Sequence, residues 1–317
     1  MLGHIANALR SSRGIAAKTD IAHVANRLGL SAANPIRVGD DCAAIPDGDG
    51  YLLFAIEGFI NEFVAADPWF AGWCGVMVNI SDIAAMGGRP LAVVDAIWAN
   101  GNTEADPILQ GLHAAAETFN VPLVGGHSNL RTDRSQLSVA ILGKAKRLLT
   151  SFDATPEDHL IAAIDLRGRY REPFPNWEAA TDAPPQRLRN DLEILPAIAE
   201  AHLSKAAKDI SQGGIIGTAM MLAECSGTGL TIDLAAIPRP DTAPLDRWLQ
   251  TFPSFGYILS VAPQNIQSVI ARFTERGIHA ADIGSFTTGH TVRTKIGQET
   301  ETIWDFSRQP LLGCTHA

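Results

Sequence analysis

Residues 71–88 constrain this chain more than any other stretch. Val76, Met77, Val78, Ile80, Ile83, Ala84, Ala85 and Met86 leave almost no polar face, so the spacing predicts a helix buried on most sides. Asn79 and Asp82 interrupt it, and at three residues apart they share one face. A buried carboxylate is costly unless a cation or hydrogen bonds compensate it. A metal ion is the simplest compensation; an N-cap or a hydrogen-bonded core aspartate is the other reading.

A chain of 317 residues is long for one core, and a division into residues 1–150 and 151–317 is expected. A formal charge of −9 argues against a nucleic-acid partner and suits divalent cations. Cys42, Cys74, Cys225 and Cys314 are scattered, with no CxxC pair, which points to reduced thiols in a cytoplasmic protein. The first 17 residues lack the apolar core of a signal peptide, and no run reaches the roughly 20 apolar residues of a membrane span. The expectation is a soluble protein.

Helical spacing covers residues 18–30, and a turn-rich run follows from Asn34 to Cys42. Residues 51–56 read as a buried strand, 91–98 as a strand, 104–119 as a helix, and 121–124 and 136–146 as strands. Elements alternate, which predicts an α/β architecture. The second half opens with a strand at 159–164, then a loop rich in Pro, Arg and Glu at 167–185. A helix at 186–203 interrupted near Pro196, a helix at 215–225, a strand at 230–234 and a helix at 264–276 complete the reading.

Four acidic positions share similar surroundings: Asp40-Asp41, Glu57, Asp82 and Asp209. Each stands at or near the junction of an apolar element and a glycine-containing turn, an arrangement that lets carboxylates converge. Oxygen-only ligation favours Mg²⁺ over zinc or copper. Individually, Asp209 reads equally as an N-cap and Asp40-Asp41 as an ordinary turn. Two nucleotide motifs fail. Gly14-Ile-Ala-Ala-Lys-Thr19 has Ala17 where a P-loop needs glycine, and no GxGxxG follows a strand.

In order, Gly39-Asp-Asp-Cys-Ala43, Val78-Asn-Ile-Ser-Asp-Ile-Ala-Ala-Met-Gly87, Gly125-Gly-His-Ser128 and Lys208-Asp-Ile-Ser-Gln-Gly-Gly214 resemble the aminoimidazole ribonucleotide synthetase superfamily. Thiamine-monophosphate kinase, selenophosphate synthetase, the formylglycinamide ribonucleotide amidotransferase and a hydrogenase maturation factor belong to it. The likeness spans residues 36–290. It implies a two-domain α/β fold. The N-terminal mixed sheets of two chains would pair into a barrel across a homodimer, and an α/β sandwich would form the C-terminal domain. It also implies ATP and Mg²⁺ as cofactors, with Asp40, Asp41, Glu57, Asp82 and Asp209 as metal ligands and Asn79, Gly125, Gly126 and Ser128 near the nucleotide. The implied activity is transfer or cleavage of the ATP γ-phosphoryl onto a small-molecule acceptor. Lys18, in the N-terminal segment that closes over the nucleotide in this superfamily, is a candidate for neutralising phosphate charge, with a solvated helix-end residue as the alternative.

Departures bear on the acceptor. The kinase's Thr-Asp-Thr is Ile56-Glu57-Gly58 here, and its Gly-Gly-Asp-Thr is Gly125-Gly-His-Ser128. His127 is therefore a candidate proton carrier or phosphate contact, with a hydrogen-bonded structural histidine as the alternative. Arg131 and Arg134 are candidates for acceptor binding. The kinase's Gly-Gly-Glu-Asp-Tyr-Glu-Leu is replaced by residues 252–259, which lack its acids. No cysteine precedes Cys42, against a selenophosphate synthetase, and Cys314 is followed by three residues, unlike the hydrogenase factor's terminal cysteine. A non-catalytic nucleotide-binding dimer that regulates a partner enzyme is the alternative function.

Overall fold

The computed structural model describes residues 2–30 and 36–313. The turn-rich run from Asn34 begins outside them, and Cys314 lies outside them. Two compact units emerge. One comprises residues 42–147 and 183–196; the other comprises residues up to Asp41, 148–182 and from Ala197 onward. The expected division at 150 differs because the N-terminal helices join the second unit. Helix α1 (Leu2–Arg10) buries Leu2, Ile5, Ala6 and Leu9, and α2 (Arg13–Arg27) buries Ile15, in the same core as residues 154–312.

The first unit is a five-stranded sheet. Its strands are β1 (Ala43–Asp47), β2 (Gly50–Gly58), β3 (Arg89–Asn100), β4 (Leu123–Asn129) and β5 (Arg131–Ala145), ordered β1-β2-β5-β3-β4. Only β3 and β4 run parallel. Helices α3 (Asn61–Ala66), α4 (Pro68–Ala85) and α5 (Asn102–Phe119) follow the strands, and α6 (Pro185–Leu192) packs on α5.

Helix α4 is the apolar stretch read from the sequence. Asp67 caps it by accepting from the Phe70 N–H, Pro68 takes the first turn, and Gly87 ends it with φ 75°. Gly72 and Gly111 let α4 and α5 cross closely. A Cβ on Gly72 would run into the Ile108 carbonyl, and one on Gly111 into the Trp69 carbonyl.

The other face of this sheet is bare. Register places Phe54 opposite Leu142, and Ile56 opposite Ala140, which in turn faces Val94. Phe54 is 51% exposed and Ile56 66%, with Ile45, Val94 and Leu142 also exposed.

The second unit holds a seven-stranded sheet ordered β14-β13-β10-β12-β6-β11-β9. Its strands are β6 (His159–Ile164), β9 (Ala206–Asp209), β10 (Gly229–Asp233), β11 (Gly256–Val261), β12 (His279–Thr287), β13 (Thr291–Ile296) and β14 (Glu299–Asp305). Helices α7 (Ile194–Glu200, straddling the division), α8 (Gly214–Cys225), α9 (Leu245–Trp248) and α10 (Ile266–Thr274) complete the fold. The stretch expected to be a loop carries a hairpin, β7 (Arg169–Arg171) and β8 (Asn176–Glu178). Tyr170 and Trp177 stack edge-on with each other and with Trp248, which anchors it. The helix expected at 186–203 breaks at Glu193, and Pro196 sits in the first turn of α7, where proline is tolerated. No described helix is long and apolar enough to cross a membrane.

Candidate functional site

The seven-stranded unit gathers Asp40, Asp41, Lys208 and Asp209 along β9. This strand lies at the sheet edge, paired on one side only with β11. Thr150 bridges Ala206 on the other side, which brings Ser151 alongside. Asp40 Oδ1 accepts from the Ser151 N–H (3.0 Å), the Ser151 hydroxyl (2.7 Å) and the Asp41 N–H (3.2 Å). Asp41 Oδ2 accepts from the Asp209 N–H at 3.3 Å, and its Oδ1 lies 2.5 Å from Lys208 Nζ. Arg37 stacks on Phe152, 3.7 Å from the ring centroid, securing the same loop to residues 150–152.

Asp41 and Asp209 offer carboxylate oxygens within 4.8 Å of each other. Asp209 is buried, as is Lys208, whose side chain is 3% exposed; Asp41 is partly buried, with its side chain 7% exposed. Three carboxylates face one ammonium, which leaves a formal excess of two negative charges. Burial, opposed by Lys208 and reinforced by Asp41, pushes the Asp40 carboxyl up to about 7. Burial depresses the Lys208 ammonium, but Asp41 and Asp40 outweigh it and hold the group above its ordinary range. A divalent cation on oxygen donors would balance this excess, so the residues present fit Mg²⁺.

These contacts resolve two open readings. Asp209 is not an N-cap: Gly213 occupies that position in α8, without a side-chain bond. Asp40-Asp41 is no ordinary turn, because its carboxylates are anchored and ion-paired. Within the pair, Asp40 holds the loop while Asp41 meets Asp209.

Lys18 lies on α2, partly buried. That helix packs through Gly14 and Ile15 onto Gln212 and Gly217, in the segment following Asp209. Lys18 is one turn beyond Gly14 on the same face.

The five-stranded unit presents a second set. Asn79 is fully buried; its Nδ2 donates to the Gly75 carbonyl (2.8 Å) and the Val139 carbonyl (3.0 Å). Its Oδ1 accepts from no described residue. Asp82, 5% exposed, follows one turn later. Val139 stands in register between Glu57 on β2 and Asp95 on β3, and Asp95 faces Gly126 on β4. This row lies on the sheet face that α4 covers. Burial raises the Asp95 carboxyl above its usual range. A Cβ on Gly126 would strike that carboxylate, so glycine is what lets Asp95 lie against β4.

The Gly125–Ser128 motif is exposed on the edge strand β4. His127 pairs with Ala96, on the bare face, with its ring 6.4 Å from Trp98. Strand alternation therefore puts His127 on the face opposite Glu57 and Asp95. Arg131 and Arg134 are exposed on β5.

Sequence reasoning missed Lys208, Ser151 and Asp95 as site residues. A lysine after two alanines, directly before Asp209, was a usable signal. Nothing local marks Ser151, which only the tertiary fold brings to Asp40.

The N-terminal domain of AIR synthase related proteins matches residues 39–145, and the C-terminal domain of the same family matches residues 174–297. An uncharacterised protein of Synechocystis sp. is 47% identical over 99% of both chains. Thiamine-monophosphate kinase of Pyrococcus horikoshii is 25% identical, covering 88% of this chain and 90% of its own. T. maritima PurL complexed with ATP superposes with a TM-score of 0.72 at 19% identity, over 87% of this chain and 47% of that one. This chain thus spans about half the length of the PurL chain it resembles, and the likeness is one of fold. Two family domains covering most of the sequence, on a fold shared with PurL, place this chain in the AIR synthase related family.

Proposed function

We propose that this chain is an ATP-dependent enzyme that holds Mg²⁺ with its carboxylates and transfers or cleaves the γ-phosphoryl of ATP onto a small-molecule acceptor. The observation that carries this reading is the excess of negative charge at Asp40, Asp41 and Asp209 around the buried Lys208, with carboxylate oxygens as the candidate donors. The family supports it, as do a relative named thiamine-monophosphate kinase and a structural neighbour complexed with ATP.

In the seven-stranded unit Asp41 and Asp209 are the proposed Mg²⁺ ligands, with Asp40 anchoring the loop that presents Asp41. In the five-stranded unit Glu57 and Asp82 are the proposed ligands, and Asn79 offers its unused Oδ1. When bound, Mg²⁺ neutralises phosphate charge and orients the γ-phosphoryl group. Lys18 adds a positive charge for phosphate, and Gly125–Ser128 exposes backbone and side-chain donors on β4. His127 is a proposed proton carrier toward the acceptor. The acceptor is a phosphate ester or an amide oxygen activated for ring closure. A homodimer through the bare face of the five-stranded sheet is part of the same proposal, because apolar residues such as Phe54 and Ile56 need cover.

Calorimetric titration of ATP with and without Mg²⁺, on wild type, Asp82→Asn and Asp209→Asn, tests the reading. The expected result is binding that requires Mg²⁺ and weakens at least about tenfold, or ~1.4 kcal/mol, in either variant. An acceptor screen for ADP release then follows. No ATP binding with Mg²⁺ present would sink the proposal. Binding without turnover across a broad acceptor panel would favour a non-catalytic nucleotide-binding dimer.

A further inference from the structure

Among the described residues Lys208 is the cation inside the carboxylate cluster, and its geometry is unlike that of a substrate-binding lysine. Its ammonium has three N–H donors, and three oxygens surround it: Asp41 Oδ1 at 2.5 Å, Ser151 Oγ at 2.9 Å and the Gly39 carbonyl at 3.4 Å. With the side chain 3% exposed, no donor is left over for a phosphate. The same ammonium touches both segments that build the site, residues 39–41 and Ser151. Ser151 in turn donates its hydroxyl and its backbone N–H to Asp40.

We propose that Lys208 is a positioning residue: a resident monocation that holds Asp41 against Asp209 before a divalent cation binds to those two aspartates. This rests on the Mg²⁺ reading above. Without the ammonium, three carboxylates would face one another with the Lys208 charge gone, and the loop carrying Asp41 would keep only the Asp209 N–H as its tie to β9. With it, the cluster is assembled and still carries the charge that a single divalent cation balances. Lys208 thus trades a stronger pull on the cation for an ordered cation-free site.

The test is thermal unfolding of the full chain in EDTA and in millimolar Mn²⁺, for wild type, Lys208→Met, Asp41→Asn and the double variant. Lys208→Met should unfold at lower temperature than wild type in EDTA, by several degrees or more. Mn²⁺ should then raise its midpoint by at least about twice the rise seen in wild type, because the cation also replaces the lost charge. Asp41→Asn should abolish most of the Mn²⁺ response in both backgrounds. Should Lys208→Met not fold in EDTA, Lys208→Gln, which keeps a donor for Asp41 without the charge, carries the same expectation.

A destabilised Lys208→Met whose Mn²⁺ response is no larger than wild type's would reduce Lys208 to a structural ion pair and overturn the proposal. An unchanged midpoint in EDTA would overturn it too. Failure of the underlying cation reading looks different: Mn²⁺ would shift neither wild type nor any variant.

Discussion

The two sheets are covered to different degrees. In the seven-stranded sheet the interior strand β6 buries five of its six residues, and its neighbour β11 does the same. Helices and the N-terminal segment close both faces. In the five-stranded sheet β2 alternates, and the outward residues Phe54 and Ile56 are as apolar as the inward Leu53 and Ala55. Alternation in a one-sided sheet should read apolar-in and polar-out. Here it reads apolar on both sides, with cover on only one. The lesson is that the seven-stranded unit completes its own core, whereas the five-stranded unit leaves an apolar face exposed.

The sharpest way to break this contrast is a matched pair of truncations. Ile161→Ala, in the middle of β6 and fully buried, should cost about 2–5 kcal/mol in urea denaturation. Ile56→Ala on the bare face should cost about 0.5 kcal/mol or less at concentrations where the chain is monomeric. Equal losses at both positions would mean that the bare face is covered within a single chain after all.

Ile56→Lys sharpens the comparison from the side of association. Burying an isoleucine is worth roughly 1.5–3 kcal/mol, and a two-fold interface would use it twice. A charge there should weaken self-association by about a hundredfold or more, measured by sedimentation equilibrium. An unchanged oligomeric state would remove this face from the interface.

Close helix packing in the same unit gives a smaller effect. Gly72→Ala forces α4 away from the Ile108 carbonyl of α5 and should cost about 1–3 kcal/mol by overpacking. Gly29→Ala, at the exposed end of α2 with open space around it, is a control for the positive-φ strain that glycine relieves there (φ 69°). If Gly72→Ala costs no more than Gly29→Ala, the close crossing of α4 and α5 is not what holds this unit.

Much of this was legible in the chain itself. Helix α4 announces itself in the sequence because almost no polar face interrupts it, and Asn79 and Asp82 stand out against its apolar run. Strands β2, β3 and β6 were readable as short apolar runs. What stayed hidden depended on distance along the chain. Helix α1 is too short for its pattern to stand out, and it is held in place by residues near 302. The β7–β8 hairpin hides in a Pro- and Arg-rich stretch because its anchor, Trp248, lies some 70 residues later in the sequence. The acidic residues were readable, but the division of labour between Asp40 and Asp41 was not. That depends on Ser151 and Lys208, 111 and 167 positions away from the aspartates they bind.

The last prediction concerns protons in the cation-free protein. Burial raises the Asp40 carboxyl from 3.8 to about 7 in the folded state. Between those values the native chain binds a proton that the unfolded chain has released, so stability falls as pH rises from about 4 to about 7. The slope from one such group is at most about 1.4 kcal/mol per pH unit. Lys208, held above its ordinary range, stays charged throughout this window and contributes no slope. Calorimetry in EDTA at pH 5, 6 and 7 should therefore show a midpoint that declines with pH in wild type. Asp40→Asn keeps an oxygen for the Ser151 donors and removes the titration, so its midpoint should vary less across the same range. A wild-type midpoint that rises between pH 5 and 7, with Asp40→Asn following it in parallel, would show that the excess charge in this cluster is already neutralised without a cation.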